Sequence, residues 1–109
     1  MLYYYRMIQN DQLISREELV AGARLMKILA HPVKLDILQL LGDDRSMDVS
    51  SLCKAIGAEC EISMMSHHLA KMKDNGVLRS EKNGKQVFYS VKDPSVLSLL
   101  DCLKKCSLI

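Results

Sequence analysis

No apolar run in the chain approaches the length needed to cross a bilayer. The opening stretch MLYYYRMIQND has neither the hydrophobic centre nor the small-residue cleavage site of a secretory signal. Repeats, low-complexity segments and linkers are missing too, so residues 1–109 read as one domain placed in the cytoplasm. There is no Gly-rich phosphate loop, no HExxH, and no nucleophile and base at a telling spacing, which argues against an enzyme. Charge of one sign is also scarce. Lys and Arg number 15 against 13 Asp and Glu, a net charge of +2, and that total does not announce a nucleic-acid partner.

What is present is unevenly distributed. Between Ser63 and Lys92 the basic residues Lys71, Lys73, Arg79, Lys82, Lys85 and Lys92 face only Asp74 and Glu81, giving that segment +4 and leaving the rest at −2. Such asymmetry predicts a basic face on a nearly neutral protein. The four cysteines, Cys53, Cys60, Cys102 and Cys106, lie in a chain with no export signal. Buried thiols, a metal site or a redox switch are therefore expected rather than a disulfide framework.

The helices announce themselves by their ends. Ser15 and Glu18 form a capping box, and Leu19, Ala23, Met26 and Leu29 follow at helical spacing up to about Ala30. Pro32 suits the first position of a second helix, VKLDILQLL, closed by Gly42. Asp48 can cap a third, VSSLCKAI, stopped by Gly57, and a fourth runs from about Ile62 to Asn75 with Gly76 as terminator. Two β-rich runs then flank Asn83-Gly84, which predicts a hairpin with that pair at the centre of its turn. Asp93 and Pro94 begin a last helix that reaches Cys106.

The fold class is therefore mainly α with a small β-hairpin: a winged helix-turn-helix of four helices, two strands and a fifth helix. Residues 1–14 form an N-terminal extension, 48–75 the helix-turn-helix, 77–91 the wing and 93–106 a dimerisation helix. In the fourth helix, ISMMSHHLAKMKD, Met65, Leu69 and Met72 share one face, while Ser63, Ser66, His67 and Lys71 lie away from it. That division suits a recognition helix whose short polar groups reach base edges in a major groove, and Met64 is counted with them. Arg79, Lys82 and Lys85 can neutralise phosphates from the wing. Adjacent His67 and His68 point about 100° apart and cannot hold one ion from a single helix face. His68 falls beside Met65, Leu69 and Met72 and reads as a packing residue.

The segments LMKILAHPVKLDILQLL, MDVSSLCKAIG and SHHLAKMKDNGVLRSEKNGKQVFYSV together resemble the ArsR/SmtB family of bacterial repressors, over roughly residues 19–105. The resemblance implies a homodimer built from the first and fifth helices, double-stranded DNA bound at a palindromic operator, no membrane partner, and release by an inducer. It carries DNA contacts onto Ser63, Ser66 and His67, with wing contacts near Arg79, Lys82 and Lys85. Three departures stand out. Members often place Ser-Gln-Ser ahead of the SHHL block, where this chain has Glu61-Ile62-Ser63. The Cys-Val-Cys of metal-sensing members reads Asp48-Val49-Ser50, and the fifth helix has Asp101 but no His.

Those absences move attention to the remaining cysteines. Cys102 and Cys106 are spaced i,i+4 and could share a soft ion, with Lys104 and Lys105 favouring thiolate. A third thiolate would come from Cys60, Cys53 or a partner subunit. Cys53, on an apolar arc, reads as a small buried hydrophobe. Cys60, between Glu59 and Glu61, has neighbours that raise a thiol pKa. No resident cofactor is required on this reading. The candidate signals are arsenite or antimonite, a zinc or copper ion, or reversible cysteine oxidation. Two alternatives stay open: a winged protein-interaction module that uses the last helix or Tyr3-Tyr4-Tyr5, and a DNA-binding repressor with no small inducer.

Overall fold

Each turn of chain direction coincides with a local signal, and the path follows from them. The computed structural model describes residues 13–57 and 59–109. The readings placed on Tyr3–Tyr5 and most of the N-terminal extension lie outside those residues. Helix α1 spans Arg16–Leu29, and Ser15 and Glu18 cap it reciprocally, at 3.1 and 3.0 Å. Helix α2, Pro32–Leu41, has Pro32 in its first turn and ends at Gly42. Strand β1 is Met47–Asp48, and helix α3, Val49–Ile56, follows directly with Asp48 as its cap. Helix α4 spans Ile62–Asp74. Strands β2, Leu78–Asn83, and β3, Gln86–Val91, form the wing. A 3₁₀ turn at Pro94–Leu97 leads into helix α5, Ser98–Lys105.

The end of α4 sets where the wing begins. The Val77 amide donates to the Met72 carbonyl at 2.9 Å and the Gly76 amide to that of Lys73 at 3.0 Å. Gly76 takes φ +79° between them, so this is a Schellman closure that needs glycine's freedom. The core gathers Ile37, Leu38 and Leu41 of α2, Leu52 and Cys53 of α3, Met65, Leu69 and Met72 of α4, and Val77, Leu78 and Val91 of the wing. The helix-turn-helix and the wing therefore share one interior, which fixes the angle between them.

Four details differ from the sequence reading. The sheet has three strands, ordered β1-β3-β2, because Met47 and Asp48 pair antiparallel with Tyr89 and Phe88. Asn83 pairs with Gln86, so the turn centres on Gly84-Lys85 rather than Asn83-Gly84. Only Gly84 has positive φ there, at +66°, the pattern of a turn with glycine at its first central position. Third, the α-helical part of the last element starts at Ser98 and stops at Lys105. Cys106 is the residue that caps its end, in extended backbone, with its amide donating to the Leu103 carbonyl. Fourth, Cys53 and Cys60 are joined by a disulfide, where buried thiols, a metal site or a redox switch were expected rather than a disulfide framework.

Helix α1 meets the core through Leu25, Ile28 and Leu29, and most of its other residues are exposed. Leu29 is buried, but Leu19, Val20 and Met26 are exposed, Met26 by 62%. Leu103, Leu108 and Ile109 are also open to solvent at the other end of the chain.

Candidate nucleic-acid interface

Helix α4 is divided as its spacing predicts. Met65, His68, Leu69 and Met72 are buried, while Ser63, Met64, His67 and Lys71 are exposed and Ser66 is half-buried. The apolar row anchors the helix on α3 and β2, and the outward row carries hydroxyls, an imidazole, a thioether and an ammonium. Those groups can donate to, accept from or pack on base edges. At its N-terminus Glu61 makes no side-chain cap hydrogen bond. By contrast Ser15, His31 and Asp48 cap α1, α2 and α3 through their side chains.

The wing separates its cations. Successive residues of a strand alternate faces, so Arg79 and Lys82 point to opposite sides of the sheet. Lys82 and Lys85 are exposed at the distal end, whereas the Arg79 Nε donates to Ser90 Oγ at 3.2 Å. Arg79 also lines a surface depression with Asp43, Asp44, Arg45 and Glu81. Lys82 and Lys85 thus lie toward the wing's turn, and Arg79, also exposed, lies toward the other end of β2. Asp48 ties the two halves of the site: Oδ1 accepts from the Ser51 amide at 3.1 Å and Oδ2 from Gln86 Nε2 at 3.0 Å.

His68 is more enclosed than its sequence context suggests, at 6% exposure, and neither ring nitrogen has a hydrogen-bond partner. Its ring lies against that of His31, with centroids 4.6 Å apart. Burial first, then the nearby His31, Lys34, His67 and Lys71, lowers its pKa below the ordinary 6.5. His31 is a residue that sequence reasoning missed. Its Nδ1 accepts from the Val33 amide at 3.1 Å and so caps α2. The only signal was its place directly before Pro32.

The cysteines divide into two sets. Cys53 is buried in the core and bonded to half-buried Cys60, with Cα atoms 5.4 Å apart. Cys102 is exposed and Cys106 half-buried, and both are free. Among the described residues no three His, Cys, Asp or Glu side chains gather in a way that could hold a metal ion. No helix among them is long and apolar enough to cross a membrane.

Comparison with known proteins decides the lineage. The HTH-type transcriptional regulator YgaV of Escherichia coli (strain K12) is 32% identical over 83 residues, 76% of this chain and 82% of that one. The chain belongs to the ArsR/SmtB family. No family model matches it. Solved structures of ArsR/SmtB-type regulators share its winged-helix architecture. The transcriptional repressor PagR of Bacillus anthracis superposes with TM-score 0.69 at 28% identity, covering 82% of this chain and 99% of that one. The antimony-specific transcriptional repressor AntR superposes with TM-score 0.74 at 28% identity, covering 89% and 88%. As an ArsR/SmtB member the chain is a DNA-binding regulator in a family of transcriptional repressors, and it is not an enzyme.

Proposed function

We propose that the chain is a homodimeric repressor that reads a palindromic operator in the cytoplasm and leaves it when an inducer acts on its cysteines. The observation that carries the DNA contacts is the split of α4. Its buried row holds the helix on the domain, and Ser63, Met64, Ser66, His67 and Lys71 form its outward row. Lys82 and Lys85 at the wing's end supply phosphate contacts beside that row. The uncovered stripe of α1, Leu19, Val20 and Met26, with Leu103 near the chain's end, supports pairing of two copies. Pairing would present two α4 helices to the half-sites of a palindrome.

For the inducer, the support is chemical. Cys102 and Cys106 are free thiols next to Lys104 and Lys105, open to arsenite or antimonite, zinc or copper, or an oxidant. AntR, similar in fold, is an antimony-specific repressor. Since no three-donor cluster forms among the described residues of one chain, a bound ion would need a ligand from the partner subunit.

The test is a mobility-shift titration on duplexes enriched from a random pool, repeated with arsenite, antimonite, zinc, copper and peroxide. Ser66→Ala with His67→Ala should weaken selected duplexes far more than random ones. Equal losses on both would refute base reading by α4. Release of wild type by one of these agents, but not of Cys102→Ser with Cys106→Ser, would assign the inducer to that pair.

A further inference from the structure

The bridge between Cys53 and Cys60 lies inside the helix-turn-helix itself. It spans seven residues and fastens the core-buried sulfur of α3 to a residue two positions ahead of α4. That end of α4 has no side-chain cap, since Glu61 makes none, whereas α1, α2 and α3 are each capped by a side chain. Backbone contacts there are few: the Cys60 amide donates to the Gly57 carbonyl at 3.1 Å and the Met65 amide to that of Glu61 at 2.9 Å. The crosslink thus stands where a cap would, and it holds the turn that carries Ser63 and Met64.

The two sulfurs also differ in access. Cys53 is 5% exposed, whereas half-buried Cys60 lines surface depressions on both of its sides, one with Ile56, Met64 and His68, the other with Ser50, Lys54 and Ile62. A partly accessible thiol backed by a buried resolving thiol is the arrangement of a reversible pair. Beside chromosomal DNA the thiol pool is reducing, so such a bridge is conditional rather than permanent.

We propose that Cys53 and Cys60 are a dithiol–disulfide switch responding to hydroperoxides, and that the bridged form binds operator DNA more tightly. The proposal rests on the DNA-binding role of α4 above and moves the redox response away from Cys102 and Cys106. The Cys60 thiolate attacks the outer peroxide oxygen; an S–O bond forms, the O–O bond breaks, and the alkoxide leaves as alcohol after taking a proton. The Cys53 sulfur then attacks Cys60; the S–S bond forms, the S–O bond breaks, and hydroxide departs as water with the Cys53 proton. Two electrons pass from the sulfurs to the peroxide, and a dithiol returns them by exchange.

Bridging tightens binding because the first turn of α4 is ordered before DNA arrives. The reduced chain must order it on contact, at a cost of about tenfold in affinity. Fluorescence anisotropy on the full chain, with duplexes selected separately by each redox form, should give about tenfold tighter binding after cumene hydroperoxide than after dithiothreitol. Cys60→Ser, at a half-buried position, should bind as weakly as reduced wild type and ignore both reagents. Cys102→Ser with Cys106→Ser should keep the whole response. Equal affinities, a tighter reduced form, or a response surviving in Cys60→Ser would overturn the switch. Hydrogen exchange of amides 59–64 supplies a second measure without DNA: slower exchange in the bridged form is expected, and identical exchange would also overturn it. Should neither form bind any duplex, the repressor reading falls while the exchange data still decide the switch.

Discussion

Gln86 Nε2 donates to Asp48 Oδ2 at 3.0 Å, across a sequence separation of 38 residues. The same carboxylate caps α3, so one side chain holds the first helix of the helix-turn-helix to the start of β3, next to the wing's turn. Its pKa lies below the ordinary 3.8, chiefly because Ser51 donates to it. Asp48→Ala should lower the melting temperature and speed hydrogen exchange in both β1 and α3. Gln86→Ala should affect only the strand pair. The contribution of Asp48 is complete above pH 3.8 and is lost as pH falls through its lowered folded value. Equal effects of the two variants would show that the cap of α3 carries none of it.

The wing cations should separate in their response to salt. Lys82→Ala and Lys85→Ala should each reduce the slope of log affinity against log salt by about one unit, on selected and random duplexes alike. Arg79→Ala should leave the slope unchanged, because its guanidinium engages Ser90 on the opposite side of the sheet from Lys82, in a depression shared with Asp43, Asp44, Arg45 and Glu81. A flattened slope for Arg79→Ala would place that side chain on a phosphate.

His68 gives the fold a sensitivity to acid. The groups around it are the His31 ring, Lys34, His67 and Lys71, with Glu59 and Glu61 on the rim of the adjoining depression. Its folded pKa is lowered, so the unfolded chain binds a proton first as pH drops below 6.5. Stability should therefore fall from pH 6.5 downward, measured by urea denaturation. His68→Leu keeps the packing, removes two unpartnered nitrogens and should flatten the curve in that range. An unaltered curve would assign the titration to other groups.

Pairing through α1 is open to a direct check. Val20→Glu with Met26→Glu places charge on the stripe that the single chain leaves bare. Sedimentation should shift from dimer to monomer, and affinity for a two-half-site duplex should fall about a hundredfold as the second contact is lost. Circular dichroism should be unchanged, since neither side chain touches the core. Dimers that persist would mean the stripe is not the seam.

Much of this molecule could be read from residue order, because its boundaries are chemical. Ser15 with Glu18, Pro32, Asp48 and Gly76 act within a few residues of themselves, and each does what its type dictates. The division of α4 also followed from spacing alone. The misses share another cause. Strand β1, two residues long, has no periodicity to detect, and exists because Tyr89 and Phe88 lie beside it. The turn slid by one residue because pairing Asn83 with Gln86 sets its position, and Gly84 alone can take the positive φ. The link between Cys53 and Cys60 depends on how α3 and α4 meet. Local reading instead gave Cys53 a packing role and Cys60 an acidic neighbourhood, both true and neither sufficient.

The two-residue turn at Gly84-Lys85 has a mechanical consequence. With no spare chain at the tip, the reach of Lys85 is dictated by ladder registration and not by loop wandering. Removing one residue from β2 would rotate Lys82 onto the side now held by Arg79 and swap the cationic edge for an acid-lined one. The wing behaves as a short rigid lever, its business end aimed by the sheet behind it.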